Sequence, residues 1–268
     1  MIDFHSRFGF HTAPFTRELS VEQRFSLGFF DETLTALFRT VEQRSSAALV
    51  APAGTGKTAL LRALVSQLPE ARYRVHYVKV TDLSKRDLCR EIAVATGAKP
   101  AGSYPMLVRR LQERFLSTTA EDAVRPVLVL DECHDLRPDV FGIFRILTNF
   151  EMDSRLVLSV LFAGQAPLRD LLRHPAHEDV TRRLSHVATL RLLSRPESHR
   201  YLAHRCTIAG ATTVPFDPGA MDAVYEVACG NLRATDQLAA KALEVASDTG
   251  ASIVDSSHLA QARRLLWP

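Results

Sequence analysis

The segment that most constrains this chain runs from residue 51 to residue 58 and reads Ala-Pro-Ala-Gly-Thr-Gly-Lys-Thr. A short apolar run precedes it, and leucines spaced by three and four follow it, which indicates a strand before the segment and a helix after it. Glycines at such a junction let backbone N–H groups turn toward an anion, and the helix N-terminus adds its positive dipole end. The pattern therefore predicts a phosphate-binding loop, with Ala51 at a position that is usually glycine.

Two side chains of this loop have predicted roles of their own. Lys57 would reach the β- and γ-phosphates of a nucleotide, and the Thr58 hydroxyl would bind Mg²⁺. The alternative is a glycine-rich turn that joins a strand to a helix and binds nothing. The predicted nucleotide-binding residues are Ala53, Gly54, Thr55, Gly56, Lys57, Thr58 and Ala59.

A second motif follows a strand that is apolar at every position. Residues 127–130 read Val-Leu-Val-Leu, and Asp131 and Glu132 come directly after them. Ligands of open α/β sheets bind at the carboxyl ends of the strands, so both carboxylates would face the nucleotide. We expect Asp131 to hold Mg²⁺ through water and Glu132 to orient and deprotonate the attacking water. A module that only binds nucleotide needs no second carboxylate, so Glu132 favours hydrolysis. The alternative is a solvated acidic pair at a strand exit.

The chain alternates strand and helix patterns as far as residue 193, which is typical of a doubly wound α/β domain with a parallel sheet. After that point only helix patterns continue. We therefore predict two domains: residues 1–193 hold an N-terminal segment and the α/β nucleotide-binding domain, and residues 194–268 form a small all-helical domain. The predicted strands lie within residues 47–50, 74–80, 127–130, 156–163 and 186–193, and two amphipathic helices are predicted over 85–96 and 104–116.

Capping signals divide the second domain into four helices. Ser194 and Glu197 form a capping box at the start of the first helix. Asp217 is a predicted N-cap with proline directly after it, which opens the second helix. The last two helices are expected over about residues 232–247 and 255–266.

Composition excludes several classes of protein. Hydrophobic residues make up 46% of the chain and charged residues 24%, which is ordinary for a globular protein and unlike a disordered or collagen-like one. No apolar run approaches the length of a membrane span, and the N-terminus lacks the pattern of a signal peptide. The four cysteines are widely spaced, which gives no sign of a zinc site or a disulfide framework. We expect a soluble cytoplasmic protein without a membrane partner. Its net charge of +3 is too small to identify a nucleic-acid binder by itself.

Polar residues near the ends of later elements are further candidates. Gln165 follows the fourth predicted strand, where it would sense the γ-phosphate or simply begin a helix. Arg182 and Arg183 precede the fifth strand. One of them would stabilise transition-state charge in a neighbouring subunit, or both are surface arginines. Arg233 stands at a helix start, from which it would swing onto the nucleotide.

These motifs, in this order, resemble the AAA+ ATPases over nearly the whole chain. The resemblance implies a P-loop AAA+ domain, with a parallel five-stranded sheet flanked by helices, and a helical C-terminal lid. It also implies ATP and Mg²⁺ as ligands, Gln165 as sensor 1 and Arg233 as sensor 2. Arg183, with Arg182 as the alternative, would be the arginine finger. Because a finger acts on a neighbour, the resemblance implies a homo-oligomer, either a ring or a helical filament.

A narrower resemblance rests on four short segments, residues 7–10, 14–19, 149–154 and 164–169. They are similar to the ExeA-like group, which includes secretion-associated ATPases and ATPases encoded beside DDE transposases. Secretion members usually continue into a membrane span and a cell-wall-binding domain, and this sequence shows neither. The short form is similar to transposition regulators of the MuB, TnsC and IstB type.

The short form implies an oligomer that binds double-stranded DNA with ATP, without sequence preference. Such an oligomer selects a target and recruits or activates a DDE transposase, either alone or with a separate target-selector protein. The alternative is a secretion or assembly ATPase that acts on protein partners without DNA.

The charge pattern bears on the DNA interpretation. Residues 84–119 contain seven basic and three acidic residues, a net charge of +4 that exceeds the charge of the whole chain. In the transposition ATPases the DNA-facing surface follows the second strand, which corresponds to this segment. Contacts with phosphate oxygens would be independent of sequence and sensitive to salt. The alternative is a set of ordinary solvated helix faces. The predicted DNA-contacting residues are Lys85, Arg86, Lys99 and Ser103.

Overall fold

The computed structural model of the chain describes residues 7–120 and 123–267. These residues form two compact units. The α/β unit contains residues 28–52 and 57–190. The helical unit contains the described residues through Leu27, the short loop Ala53–Gly56, and the chain from Arg191 onward.

The α/β unit is built on a five-stranded sheet in which every pair of neighbouring strands is parallel. The spatial order is β2-β3-β4-β1-β5, so β4 lies between β1 and β3. All residues of β1 and β4 are buried, as continuous apolar runs predict for strands covered on both faces. The prediction of a parallel five-stranded α/β sheet is confirmed. The strands are β1 Ser46–Val50, β2 Tyr73–Lys79, β3 Arg125–Asp131, β4 Ser159–Gly164 and β5 Leu184–Thr189.

Helices and short turns connect the strands. The third of these helices has the predicted bounds, and the structure adds its caps: Ser84 caps the N-terminus and Gly97 ends the helix in the left-handed conformation. The fourth runs one turn further than predicted. The fourth strand starts three residues later than expected, and β5 ends at Thr189 rather than 193. The helices are α1 Gly28–Glu42, α2 Lys57–Gln67, α3 Lys85–Thr96, α4 Tyr104–Ala120, α5 Pro138–Phe141, α6 Ile143–Leu147, α7 Ala166–Arg173 and α8 Glu178–Thr181.

An aromatic cluster fixes the chain that follows β3. The rings of Phe141, Phe144 and Phe162 are almost fully buried, with centroids 4.9 to 6.1 Å apart. Burying each ring contributes about 2–3 kcal/mol, and the tilted and edge-on contacts add to that. The cluster joins α5 and α6 to β4, so the turn at the end of β3 is held between well-packed elements.

From Arg191 to residue 267, the helical unit contains four helices, each opened by a cap. Glu197 and Ser194 form the predicted capping box, and the Asp217 side chain accepts a hydrogen bond from the Ala220 N–H. Asn231 and Asp255 cap the last two helices. The helices are α9 Arg195–Ile208, α10 Pro218–Ala228, α11 Leu232–Asp248 and α12 Ser256–Leu266.

The N-terminal segment packs with the helical unit, which differs from the division expected at residue 193. Phe8, Phe10 and Phe15 are buried in the same apolar cluster as the inner residues of α9 to α12. The buried Arg205 guanidinium also donates a hydrogen bond of 2.6 Å to the Thr16 carbonyl. These aromatic side chains find their apolar partners on the helical unit, and chain connectivity alone does not predict that choice.

The four cysteines differ in their exposure. Cys89, Cys133 and Cys206 are buried free thiols, whereas Cys229 is exposed directly after α10. Within the described ranges, no helix is both long enough and apolar enough to cross a membrane.

Candidate active site

A buried lysine and two carboxylates meet at the carboxyl end of the sheet. Lys57 begins α2, Asp131 ends β3, and Glu132 follows it. The Lys57 ammonium lies 2.9 Å from an oxygen of Asp131 and 2.9 Å from an oxygen of Glu132. The Lys57 and Asp131 side chains are 10% and 3% exposed, so each offsets the desolvation of the other. Two carboxylates against one ammonium leave a negative site that attracts a cation.

Asp131 is held rigidly by its neighbours. One of its carboxylate oxygens accepts a hydrogen bond of 2.8 Å from the Glu132 N–H, and the other accepts one of 3.2 Å from the Tyr77 hydroxyl on β2. Burial, followed by the negative charge of Asp131, raises the pKa of Tyr77 to about 12. The phenol therefore keeps its proton at neutral pH and remains a donor to the carboxylate.

The backbone turns sharply at Glu132. Its φ of 61° lies in the left-handed region, which costs about 1–2 kcal/mol for a residue with a Cβ. Such strain is commonly found at functional sites. The turn leads into Cys133, whose thiol is fully buried and donates to the Leu130 carbonyl. Burial raises the pKa of the Cys133 thiol far above neutral pH, so this thiol fills space and is not a nucleophile.

Gln165, predicted as a sensor, reaches the site through His134. The Gln165 amide nitrogen lies 2.6 Å from Nε2 of His134, and Nδ1 of the same ring lies 3.3 Å from the Glu132 carboxylate. A Cβ added to Gly164 would lie 2.9 Å from the His134 backbone nitrogen, so only glycine lets this turn pack directly against the end of β4. Sequence reasoning identified Gln165 and Glu132 as site residues but did not predict that His134 would lie between them.

The phosphate-loop residues Ala53–Gly56 belong to the helical unit, where Ala53 and Gly54 are bonded to its residues. The Asn231 side chain donates 2.7 Å to the Ala53 carbonyl, and the Arg233 N–H donates 3.2 Å to the Gly54 carbonyl. Gly54 has a φ of 75°, and a Cβ there would lie 2.3 Å from the Asn231 amide oxygen. Glycine is therefore required both for the backbone conformation and for the lack of space beside Asn231. Ala51 adopts no left-handed conformation, which explains why alanine is tolerated at the first loop position.

The remaining predicted nucleotide residues are accessible. Thr58 and Ala59, in the first turn of α2, are exposed, as is Arg233 in the first turn of α11. The Thr58 hydroxyl and the Asp131 carboxylate are hard oxygen donors, which suit Mg²⁺. The donor set therefore fits the predicted ion, because a site of this kind usually uses one or two protein oxygens, phosphate oxygens and water.

The two candidate finger arginines differ in side-chain exposure and in their ion-pair partners. The Arg182 side chain is 76% exposed and pairs at 2.6 Å with Glu178, one turn earlier. Arg183 is 23% exposed, and its guanidinium is bound to Asp153. Both arginines line an open cleft of about 690 Å³ together with Arg145. Arg182 is therefore the more accessible of the two, and Arg183 would have to leave Asp153 to act elsewhere.

The predicted DNA-contacting residues lie on α3 and on the loop between α3 and α4. The Arg86 guanidinium donates 3.1 Å to the Gly102 carbonyl and thereby fastens that loop. Lys99 and Ser103 on the loop are exposed. Lys85, at the start of α3, lies 3.9 Å from Asp139. The structure brings Arg86, Lys99 and Ser103 onto one stretch of surface and directs Lys85 toward an acidic neighbour.

Comparison with known proteins identifies the family. A family model described as an AAA domain matches residues 39–172, which is half of the chain. This chain belongs to the AAA family. Its matched region contains the phosphate loop, both site carboxylates and Gln165, so the motifs in the sequence and the family model coincide.

One curated relative of this AAA protein is general secretion pathway protein A of Aeromonas hydrophila. The two are 30% identical over 206 residues, which are 75% of this chain and 37% of that protein. The AAA chain therefore spans little more than a third of the length of this relative.

Solved structures of other P-loop AAA+ proteins share the fold. Cdc6p of Pyrobaculum aerophilum has a TM-score of 0.75 at 17% identity, over 94% of this chain and 70% of that one. Aeropyrum pernix ORC1, in complex with DNA, has a TM-score of 0.68 at 21% identity, over 91% and 67%. The Thermotoga maritima RuvB Holliday junction branch migration motor has a TM-score of 0.63 at 16% identity, over 94% and 73%. At these identities the likeness establishes the AAA+ fold of the chain.

Proposed function

We propose that this AAA protein hydrolyses ATP to ADP and phosphate with Mg²⁺. The observation that supports this most directly is the Lys57 ammonium, bonded at 2.9 Å to both Asp131 and Glu132. The ammonium and the loop N–H groups would receive the phosphates, and Thr58 and Asp131 would hold Mg²⁺, which neutralises charge on the phosphate oxygens. Backbone groups of residues 53–59 would complete the phosphate site.

Lys57 and Glu132 would change partners when ATP binds. The triphosphate offers the Lys57 ammonium a stronger anion than the Glu132 carboxylate does. Glu132 then loses its ammonium partner and is free to orient a water molecule in line with the γ-phosphate and accept its proton. Gln165 would contact the γ-phosphate, and Arg233 would approach it from the start of α11.

ATP turnover tests this proposal directly. Phosphate release by the whole chain is measured with ATP and Mg²⁺, beside the Lys57→Ala variant. We expect turnover by the wild type and loss of nucleotide binding in the variant, because the ammonium is the main cationic contact for the phosphates. Purified protein that binds no ATP, or binds it without releasing phosphate under any condition of DNA or protein concentration, would contradict the proposal.

We also propose that the chain acts as a homo-oligomer with an arginine supplied by a neighbour, from Arg183 or the more exposed Arg182. Support comes from the open cleft that both arginines line. An Arg182→Ala, Arg183→Ala double variant keeps its own Lys57 and Glu132, whereas a Glu132→Gln variant keeps its arginines. Mixing the two inactive proteins should restore ATP turnover if the arginine acts between subunits. A mixture that stays inactive, beside an active wild type, would argue against it.

For the biological role, we propose ATP-dependent, sequence-independent binding to double-stranded DNA. In that role the oligomer selects a transposition target and recruits or activates a DDE transposase. The net charge of +4 over residues 84–119 and the exposed Lys99 beside Arg86 support a DNA surface. Of the solved structures of the same fold, ORC1 is described in complex with DNA, and RuvB is described as a Holliday junction branch migration motor.

A second role has support of its own. The relative with 30% identity is a general secretion pathway protein, which favours an assembly ATPase that acts on protein partners. Both roles share the ATPase site, so they differ only in whether the surface of α3 and the following loop meets DNA.

Binding to a fluorescent random-sequence duplex separates the two roles. The measurement is made with ATP, with ADP and without nucleotide, at low and moderate salt. Binding that requires ATP and weakens steeply with salt would support the DNA role, because displaced counterions make phosphate contacts sensitive to salt. A protein that hydrolyses ATP but binds no duplex with any nucleotide would favour the secretion or assembly role.

A further inference from the structure

We propose that His134 is a positioning residue that couples the orientation of Glu132 to Gln165. Its consequence for hydrolysis rests on the proposed ATPase function. Three side chains form a continuous chain of contacts: the Gln165 amide, the His134 ring and the Glu132 carboxylate. All three belong to the α/β unit, and the histidine side chain is 16% exposed.

The proton on the imidazole is placed by its neighbours. The amide nitrogen of Gln165 can only donate, so His134 must accept with Nε2 at 2.6 Å. In a neutral ring the proton then resides on Nδ1, which is buried 3.3 Å from the Glu132 carboxylate and makes no hydrogen bond within the described part of the chain. The opposite tautomer would place a lone pair of Nδ1 against a carboxylate, which is repulsive. Asp135, at 3.8 Å from Nε2, is too far away to be a hydrogen-bond acceptor.

The ammonium of Lys57 explains why Glu132 needs a second partner. Without nucleotide, the same Glu132 oxygen contacts both the Lys57 ammonium, at 2.9 Å, and the His134 ring. When Lys57 turns to the phosphates, the Nδ1–H of His134 is the donor that remains beside this oxygen. A carboxylate that activates water must be held within a fraction of an ångström, and the imidazole would hold it.

The backbone around His134 is built to fix the ring. Glu132 adopts the left-handed conformation, which turns the chain back toward β4. Gly164 leaves room for the His134 N–H, where a Cβ would lie at 2.9 Å. Gln165 comes directly after this glycine, so the same close approach sets the distance between amide and ring.

The tautomer of His134 is the first test, and it does not depend on hydrolysis. Nitrogen-15 NMR of the histidine side chains, with His134 assigned by its loss in His134→Gln, reports which ring nitrogen carries the proton. We expect the Nδ1–H form in the wild type and a change toward the Nε2–H form in Gln165→Leu, which removes the donor. An Nε2–H ring in the wild type would overturn the proposal.

Steady-state kinetics give the second test. His134→Ala should lower kcat for ATP about tenfold or more, with KM and the affinity for a fluorescent ATP analogue changed less than about twofold. A structural role alone would instead lower the melting temperature and weaken nucleotide binding. In His134→Asn the amide can replace Nδ1, so this variant should recover part of kcat, whereas His134→Leu should not. His186→Ala, on the edge strand β5, is the matched control and should behave as the wild type.

A double-mutant cycle tests the coupling itself. If Gln165 acts on Glu132 through His134, Gln165→Ala should lower kcat much less in the His134→Ala background than in the wild type. Independent, additive losses would overturn the coupling. A wild type without ATP turnover would contradict the proposed function, while the NMR result would still decide whether the three side chains are linked as proposed. Normal turnover in His134→Ala would overturn the inference and leave the ATPase proposal intact.

Discussion

The candidate active site and the surface of α3 and its following loop both contain charged side chains, but those of the site are buried and those of the surface are exposed or bonded to the backbone. At the active site, Lys57 and Asp131 are buried, and their distances are fixed by the ends of β3 and α2. On the surface, Lys99 is exposed and Arg86 is bonded to a backbone carbonyl. A buried charge must have a defined partner, so its geometry specifies chemistry. An exposed charge is free to meet any anion, so its position indicates only a possible partner.

The largest effect should come from the same substitution made at the candidate active site and on α4, the helix that follows the surface loop. Glu132→Gln should lower ATP turnover by about 10³-fold or more while nucleotide binding is retained, because the water loses its base but the phosphates keep Lys57. Glu113→Gln, on exposed α4, removes only an ion pair with Arg109 and should leave turnover within about twofold. Phosphate release and binding of a fluorescent ATP analogue measure both variants. Equal losses in the two variants would remove the distinction between the regions.

An intermediate effect is expected on the surface itself. Arg86→Glu with Lys99→Glu, at the two basic residues of this surface, should weaken duplex binding by about 10–100-fold at low salt and reduce the salt dependence by about two counterions. ATP turnover without DNA should not change. Arg263→Glu with Arg264→Glu, on exposed positions of α12, makes the same change in net charge and is the matched control. Fluorescence anisotropy at several salt concentrations measures both. If the control loses as much affinity, the binding is not localised on this surface.

The smallest effect concerns an ion pair of intermediate burial. The Glu197 side chain is 13% exposed, and both its oxygens accept hydrogen bonds from Arg191. Hydrogen bonds from Arg191, and next from Ser194, lower the pKa of Glu197 from 4.5 to about 2. Because the pKa of Glu197 is lower in the folded chain than in the unfolded one, the charged carboxylate stabilises the fold at pH values above the unfolded pKa. That stability is lost as pH falls through the range from 4.5 to about 2.

Glu197→Gln should therefore cost about 1–2 kcal/mol at pH 7 and progressively less below pH 4.5. Thermal unfolding of the whole chain at pH 7, 5, 4 and 3 measures this. The control is Glu244, whose side chain is 37% exposed and pairs with Lys241. Glu244→Gln should change the free energy of unfolding by less than about 0.5 kcal/mol. A penalty for Glu197→Gln that stays constant down to pH 3 would show that the ion pair contributes no charge-dependent stability.

The sequence predicts most of the fold because its signals are local. Ser194, with Glu197, and Asp217 cap helices at the predicted positions, and each cap depends only on residues within one turn. The apolar run before Asp131 becomes a strand buried on both faces. Helices with neither caps nor a long apolar period, such as α5 and α6, were not predicted, since each spans only one turn or slightly more.

The contacts of the site are less predictable than its members. Lys57, Asp131 and Glu132 follow from motif spacing, but the contact of His134 with Gln165 joins residues 31 positions apart. Nothing periodic connects them, because β4 reaches the side of β3 only through the order of the sheet. Asn231 was also missed as a partner of the phosphate loop, although its place after Gly230 is typical of an N-cap.

The exposure of the cysteines allows a fluorescent label to be placed close to the phosphate loop. Of the four thiols, only that of Cys229 is exposed, so a maleimide dye should attach there in the unmodified sequence. Cys229 stands two residues before Asn231, whose side chain is bonded to the Ala53 carbonyl. If the loop binds nucleotide as proposed, a dye at this position should change its emission when the phosphates reach the N–H groups of the loop, and it would report nucleotide arrival and departure in real time. The chain thus provides its own single labelling site, beside the loop whose movement such an experiment would follow.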